Sequence, residues 1–234
     1  MKYNTILFDL DGTLNVPGLG ITNSVMHALK KRGIDIPDRS ELYKFIGPPL
    51  IDSFMNFYGM DREEAVEAVK DYREYYSVTG IFENLVYDGI EELLHELKEA
   101  GYKIALATSK PEHFAKQILD HYNLSTYFDF VGGALMDESR TKKHEVIEYV
   151  LENMKISDTD KVLMIGDREH DVLGAKTMGI DCLGVLFGYG DLEELPKKES
   201  SSVLPKTPYA IDKYAAERFV LSYFSLYNVP TSAV

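Results

Sequence analysis

The chain has 234 residues, of which 45% are hydrophobic and 27% charged, which is enough apolar content to bury a large core. Its formal net charge of −13 argues against nucleic-acid polymers as partners, although a cleft that gathers cations can still bind a small anion. No apolar run approaches the roughly 18 residues of a membrane span, so a membrane protein is not expected.

The first predicted element is a strand at residues 6–8, which ends at Asp9 and Asp11. This apolar run does not alternate with polar residues, so we expect a strand covered on both faces, as in a parallel sheet. A turn at Gly12 could place the two carboxylates in one pocket. The residues before Asp9 lack the length and cleavage site of a signal peptide, so a cytoplasmic location is expected.

Residues 15–85 are predicted to form an all-helical insertion. One amphipathic helix is indicated by four apolar residues at helical spacing: Ile21, Val25, Met26 and Leu29. A longer helical pattern covers residues 61–76, and a Gly-Pro-Pro turn lies at residues 47–49. Because the insertion begins a few residues after Asp11, we expect it to cover a site at the end of the first strand.

Strand and helix patterns alternate after the insertion. Apolar runs predict strands at residues 104–107, 128–131, 162–165 and 182–187, and helical patterns lie at residues 90–97, 111–122 and 146–151. Asp88 and Glu91 have the spacing of a capping box, Gly101 can close the same helix, and Pro111 suits a first helical position. The alternation predicts an α/β fold with a doubly wound, Rossmann-like parallel sheet.

The end of the chain gives weaker signals. Residues 188–208 read as a long surface loop, and a further helical pattern runs through Ala216, Phe219 and Tyr223. Cys182 is the only cysteine, which excludes an intrachain disulfide, and it is expected to be a buried strand residue rather than a nucleophile.

Polar residues follow three of the predicted strands. Asp9, Thr108 and Asp167 each stand at the carboxyl end of an apolar run. Ligands of doubly wound sheets bind beyond these ends, so we expect the three side chains to converge on one site.

Four motifs carry a resemblance to a known family. Residues 8–14, Phe-Asp-Leu-Asp-Gly-Thr-Leu, resemble the first motif of haloacid dehalogenase-like phosphatases. Thr108 is similar to the hydroxyl residue of the second motif, and Lys143 to the basic residue of the third. Residues 166–171, Gly-Asp-Arg-Glu-His-Asp, are similar to the acidic fourth motif, in which His170 is the one histidine with a plausible supporting role.

The resemblance implies a magnesium-dependent phosphatase. In that family the first aspartate, here Asp9, attacks phosphorus, and the second, here Asp11, acts as general acid and then as base. The implied ligands of Mg²⁺ are side-chain oxygens of Asp9 and Asp167, the backbone carbonyl of Asp11, and Asp171 directly or through water. The implied phosphate contacts are Thr108, Ser109, Lys143 and Gly12. The implied division is a catalytic core of residues 1–14 and 86–234 and a helical cap of residues 15–85.

Longer matches indicate a branch of the family. Residues 20–24, 45–50, 107–111 and 188–190 look like phosphoglycolate phosphatase-like and 5'-nucleotidase-like proteins, and the resemblance covers roughly residues 4–195. Glu138 and the tail after Pro196 depart from it. Substrate selection should fall to the cap, where the residues to test are Lys44, Ile46, Gly47 and Arg73.

Several readings remain open. The favoured one is a phosphomonoesterase, monomeric or homodimeric, whose partner is a small phosphorylated metabolite: a nucleoside 5'-monophosphate, or a phosphorylated acid or sugar. Sugar phosphomutase and phosphonatase activities use the same motifs. A receiver-like signalling domain also combines strand-end aspartates, a hydroxyl and a lysine, but the Asp11-Gly12-Thr13 continuation and the insertion argue against it. A catalytically silent binding protein fits least, since all the required side chains are present.

Overall fold

The computed structural model of the chain describes residues 2–137 and 139–190. In chain order its strands are β1 (Thr5–Phe8), β2 (Asn15–Val16), β3 (Leu85–Val86), β4 (Lys103–Pro111), β5 (Phe130–Ala134), β6 (Val162–Gly166) and β7 (Asp181–Gly184). Five of them form a parallel sheet in the order β5-β4-β1-β6-β7. β2 and β3 form a separate antiparallel pair. The predicted α/β fold with a parallel sheet is confirmed.

Helices occupy most of the rest. They are α1 (Gly18–Lys30), α2 (Leu50–Tyr58), α3 (Arg62–Tyr76), α4 (Ile90–Glu99), α5 (Glu112–His121), α6 (Lys143–Asn153) and α7 (Glu169–Thr177), with a 3-10 helix at Arg39–Phe45. Across the described ranges, none of these helices combines the length and apolar character needed to cross a bilayer.

Both faces of the parallel sheet are buried, as its uninterrupted apolar runs predict. Side chains alternate along a strand, so Ile6 and Phe8 of β1 face a core shared with α4, α5 and the insertion. Leu7, between them, faces a second core that contains Ala107 and, from α6, Val150. Covering both faces explains why polar residues are confined to the strand ends.

The insertion packs around its own apolar helix faces. α1 and α3 lie against each other, and α2 packs on α3. Local sequence begins α3: Asp61 Oδ1 accepts from the Glu64 N–H at 2.9 Å, and the Asp61 N–H donates to Glu64 Oε2 at 3.1 Å, a reciprocal cap. All three helices lie between β2 and β3, and the domain boundaries at residues 14/15 and 85/86 stay a prediction.

Three local predictions differ from the structure. α4 begins without the predicted capping box, because Gly89 precedes it with φ +82° and no side-chain cap. Pro111 is the last residue of β4 rather than the first of a helix, since β4 continues four residues past Ala107. β7 ends at Gly184, short of the predicted residue 187.

The remaining predictions concern Cys182 and segments outside the described residues. Cys182 lies in β7 as predicted, but it is half-buried rather than fully buried. Burial raises the pKa of its thiol to about 12, so the thiol stays protonated, which does not suit a nucleophile. Glu138, the predicted loop beyond residue 190 and the predicted helix through Phe219 lie outside the described residues.

Candidate active site

The carboxyl ends of three neighbouring strands bring the predicted polar residues together. Asp9 follows β1, Thr108 lies in β4, and Asp167 follows β6; β1 is the central strand, with β4 and β6 on either side. The Asp9 N–H donates to the Ile165 carbonyl at 2.9 Å. The hydrogen bonding between β1 and β6 therefore extends as far as Asp9. The sheet register therefore fixes where these side chains lie.

Lys143 is the electrostatic centre of the cluster. It is the first residue of α6, and its Nζ lies 2.7 Å from both Asp9 Oδ1 and Asp171 Oδ1 and donates to the Ala107 carbonyl at 3.0 Å. Burial alone lowers the pKa of Lys143, but Asp171 and Asp9 outweigh burial and raise it above its ordinary value. The lysine is therefore a fixed cation between two carboxylates.

Asp167 is fully buried beside this pair. Oxygens of Asp9, Asp167 and Asp171 lie within 4.8 Å of one another. Asp167 Oδ2 accepts from the Tyr189 N–H at 2.7 Å, and Thr13 Oγ1 lies 3.5 Å from Oδ1. Burial first, and then the charge of Asp9, raise the pKa of Asp167 to about 7. Crowded carboxylates of this kind favour either a proton or a cation.

The raised pKa of Asp167 predicts an unusual dependence of stability on pH. The folded-state pKa of about 7 lies above the ordinary 3.8, so the folded protein binds this proton more tightly than the unfolded chain. The resulting stabilisation is complete below pH 3.8 and is lost as the pH rises through 7. In chelator, we expect the free energy of unfolding to fall by about 1 kcal/mol between pH 6 and pH 8.

Urea unfolding at the two pH values measures this change, with Asp167→Asn as the control that removes the titrating group. A wild-type protein whose free energy of unfolding rises with pH in this window, or changes as it does in Asp167→Asn, would contradict the assignment.

Gly12 lets Asp167 approach the turn after β1. Its φ is +84°, and a Cβ built on it would lie 2.2 Å from Asp167 Oδ2. Its N–H donates to the Asn15 carbonyl at 2.9 Å, so this group is already engaged and the predicted phosphate contact of Gly12 receives no support. The structure instead explains Gly12 by close packing and a left-handed backbone.

We expect Gly12→Ala to destabilise the protein by about 3 kcal/mol and to reduce activity, because Asp167 must move. Gly33→Ala is a matched control: Gly33 also has positive φ, at +72°, but a Cβ there meets nothing within 4 Å. That control should cost only about 1 kcal/mol. Thermal unfolding of both variants tests the difference, and equal costs would show that the approach to Asp167 is unimportant.

Asp11 is held by a second buried lysine. Lys110 Nζ lies 2.6 Å from Asp11 Oδ2 and donates to Tyr76 Oη at 2.6 Å. Burial raises the pKa of Asp11, and the charge of Lys110 acts in the opposite direction. A raised pKa suits a carboxyl group that must carry a proton during part of a reaction.

Thr108 and Ser109 line the cavity beside Asp9 and Asp11. Thr108 Oγ1 accepts from the Lys110 N–H at 3.2 Å, which leaves its own hydrogen free to donate to a bound anion.

A cavity of about 430 Å³ opens between the sheet end and the insertion, a size that suits a small metabolite. Arg73 and Gly47, both predicted from the sequence, line it, as does His170. Lys44 does not line the cavity: it is exposed, with its Nζ 4.7 Å from the centre of the Phe57 ring. Cation–π packing in the insertion therefore accounts for Lys44 better than substrate contact.

Ile46 contributes its backbone rather than its side chain. The Ile46 side chain is buried in the core of the insertion, and its carbonyl accepts from Arg168 Nη1 at 2.8 Å. Arg168 follows β6 directly after Asp167, so this bond joins the carboxyl end of the sheet to the insertion.

Sequence reasoning missed Lys110, Tyr76 and the contact of residues 188–190 with Asp167. A Cβ on Gly188 would lie 2.2 Å from Asp167 Oδ2, and one on Gly190 would lie 1.8 Å from the Asp167 carbonyl oxygen. The Gly-Tyr-Gly pattern was a usable signal, because closely spaced glycines indicate a close backbone approach.

The chain matches the model of one protein family and is similar to many known proteins, three of which illustrate the range. A model of haloacid dehalogenase-like hydrolases matches residues 6–185. The chain is 48% identical over 195 residues to a 5'-nucleotidase of Pseudomonas aeruginosa, covering 83% of this chain and 88% of that protein. It is 37% identical over 198 residues to the tyrosine-protein kinase PtkA of Mycobacterium tuberculosis, covering 85% and 67%. A crystal structure of a predicted phosphatase from Clostridium acetobutylicum matches with a TM-score of 0.80 at 48% identity, covering 83% and 89%.

Proposed function

We propose that this chain, which belongs to the haloacid dehalogenase-like hydrolase family, hydrolyses a small phosphomonoester with Mg²⁺ through a phosphorylated Asp9. Membership of this family, together with the relatives named as phosphatases, identifies the chain as a phosphatase. The observation that carries the finer proposal is the position of Lys143, 2.7 Å from Asp9 Oδ1 and from Asp171 Oδ1. One oxygen of Asp9 is thereby held, which leaves Oδ2 to attack phosphorus.

The donor set fits a hard divalent cation. Asp9, Asp167 and Asp171 offer only oxygen atoms, within 4.8 Å of one another. The pKa of Asp167 is raised by burial first and then by the negative charge of Asp9, and a bound cation would offset that charge. Asp9 and Asp167 would hold Mg²⁺ with their side chains, Asp11 with its backbone carbonyl, and Asp171 directly or through water. When bound, Mg²⁺ offsets the charge of the phosphate and of the carboxylates around it.

In the first step, Asp9 Oδ2 forms a bond to phosphorus while the bond from phosphorus to the leaving oxygen breaks. Asp11 gives its proton to that oxygen, so the alcohol leaves neutral. Lys143 and the hydroxyl groups of Thr108 and Ser109 stabilise the phosphoryl oxygens as charge moves onto them.

In the second step, a water molecule attacks phosphorus and the bond from phosphorus to Asp9 breaks. Asp11, now ionised, takes the proton of that water, which restores both aspartates for the next turnover. Two roles for one carboxyl group are reasonable because burial raises the pKa of Asp11 while Lys110 limits the rise.

For the substrate, we propose a nucleoside 5'-monophosphate or a phosphoglycolate-like metabolite. The relative named 5'-nucleotidase, at 48% identity, supports the first of these. A phosphate-release screen over metabolite esters, with Mg²⁺ and with chelator, tests the proposal. Release from nucleotides that chelator abolishes is expected. Equal release in chelator would contradict the metal, and no release from any ester would contradict the phosphatase.

The acceptor of the phosphoryl group separates this proposal from its alternatives. A phosphomutase would yield an isomerised sugar phosphate, a phosphonatase would act on carbon-phosphorus bonds, and a receiver-like domain would stay phosphorylated without turnover. Product analysis by phosphorus NMR distinguishes these outcomes, and inorganic phosphate as the sole phosphorus product is expected.

A further inference from the structure

Lys110 is a buried lysine that makes no contact with the substrate in the catalytic steps above. Its side chain is only 6% exposed, and it stands two residues after Thr108 near the end of β4. Its Nζ lies 2.6 Å from Asp11 Oδ2 and 2.6 Å from Tyr76 Oη, and 4.8 Å from the centre of the Tyr76 ring. Three side chains, from the turn after β1, from β4 and from α3, thus form one continuous set of contacts.

Both ends of this set are fixed by packing. Tyr76 is the last residue of α3, and its ring stacks on Tyr72 and meets the edge of Phe114 from α5. At the other end, the side-chain amide of Asn15, in the orientation that satisfies its neighbours, donates to Asp11 Oδ1 at 3.2 Å. The carboxyl group of Asp11 is therefore held at both oxygens.

Burying an ammonium group is costly, and an apolar side chain of similar volume often packs with equal or better stability. Packing alone therefore does not account for a lysine here. The ammonium group of Lys110 fixes the orientation of the Asp11 carboxyl group. That carboxyl group must come within hydrogen-bond distance of the leaving oxygen.

We propose that Lys110 is a positioning residue that orients Asp11 toward the leaving oxygen, and that Tyr76 holds Lys110 while the insertion lies against the sheet. This inference rests on the proposed function. In the step concerned, the bond from phosphorus to the leaving oxygen breaks, the bond to Asp9 forms, and the proton passes from Asp11 to the leaving oxygen. Lys110 takes no part in this proton transfer.

The test uses Lys110→Met and Tyr76→Phe with phenyl phosphates whose ring substituents make the leaving phenol progressively less acidic. kcat/KM reports the steps through departure of the phenol, and weak leaving groups need the proton from Asp11 most. We expect Lys110→Met to lower kcat/KM about 100-fold on the least acidic phenol and hardly at all on p-nitrophenol. Lys110→Met should therefore steepen the slope of log kcat/KM against the pKa of the leaving phenol. Tyr76→Phe should change this slope in the same direction by a smaller amount.

Matched controls are Lys116→Met and Tyr75→Phe. Lys116 is exposed and pairs with Glu112, and Tyr75 donates to Glu83 away from the cavity. Neither should change the slope. An equal loss on all phosphates in Tyr76→Phe and Lys110→Met, or no loss on any, would overturn the inference. Should Lys110→Met fail to fold, the slope of Tyr76→Phe decides. A wild-type protein inactive on every ester would refute the proposed function instead.

Discussion

Asp9→Asn is expected to lower the rate of phosphate release by at least about 10⁴-fold, because the variant lacks the oxygen that would attack phosphorus. Asparagine keeps the size and shape of the side chain, so the fold should survive. The amide can still meet Lys143, which lies 2.7 Å from Asp9 Oδ1 in the wild-type protein. Loss of activity with an unchanged fold would therefore identify a chemical role.

Phosphate release under saturating substrate measures the rate, and circular dichroism measures the fold. Asp71→Asn is the control, since Asp71 pairs with Lys31 and Arg32 away from the cavity. That variant should retain nearly full activity. An Asp9→Asn protein with a rate within tenfold of the wild type would exclude Asp9 as the nucleophile.

Lys143→Met should have the second largest effect, on both stability and activity. It removes the cation that lies between Asp9 and Asp171 and leaves two buried carboxylates facing each other. Breaking a buried ionic contact of this kind costs about 3–5 kcal/mol, and losing one group that stabilises the transition state costs about 10³-fold in rate. We therefore expect a less stable protein that releases phosphate about 10³-fold more slowly.

The origin of the instability can be tested with pH. Burial raises the pKa of Asp171, and the loss of Lys143 removes the charge that opposes this rise, so lowering the pH favours the protonated form of Asp171. The variant should therefore recover part of its stability toward pH 5, measured by urea unfolding. Lys176→Met, at an exposed position of α7, is the control and should behave like the wild type. A Lys143→Met protein as stable and as active as the wild type would refute the central place given to this lysine.

The parallel sheet could be predicted because its signals are local. The runs at residues 6–8 and 162–165 are apolar without alternation, which favours a strand buried on both faces, and β1 and β6 contain them. Asp9 directly follows the first run, and Asp167 follows the second after Gly166, so their convergence follows from the parallel pairing of the two strands. Their chemical roles came from the family resemblance, because spacing cannot say which aspartate attacks.

Lys110 and Tyr76 could not be predicted because their positions depend on longer-range packing. The apolar run of β4 stops at Ala107, but the strand continues to Pro111, so Lys110 is buried rather than exposed. Tyr76 was correctly assigned to a helix. Which wall of the cavity it faces depends on how the insertion docks on the sheet, and no local pattern encodes that docking. At α4, Asp88 and Glu91 have the spacing of a capping box but do not form one. Gly89, whose backbone is left-handed, directly precedes the helix instead.

Covalent phosphorylation of Asp9 is tested most directly in Asp11→Asn supplied with p-nitrophenyl phosphate and quenched in acid. The acidic phenol leaves without a proton from residue 11, whereas hydrolysis of the phosphorylated aspartate lacks its base, so the intermediate should accumulate. We predict a burst of about one nitrophenol per enzyme and, by mass spectrometry, one phosphate on Asp9. Turnover of the ester with no burst and no phosphate on Asp9 would contradict the mechanism.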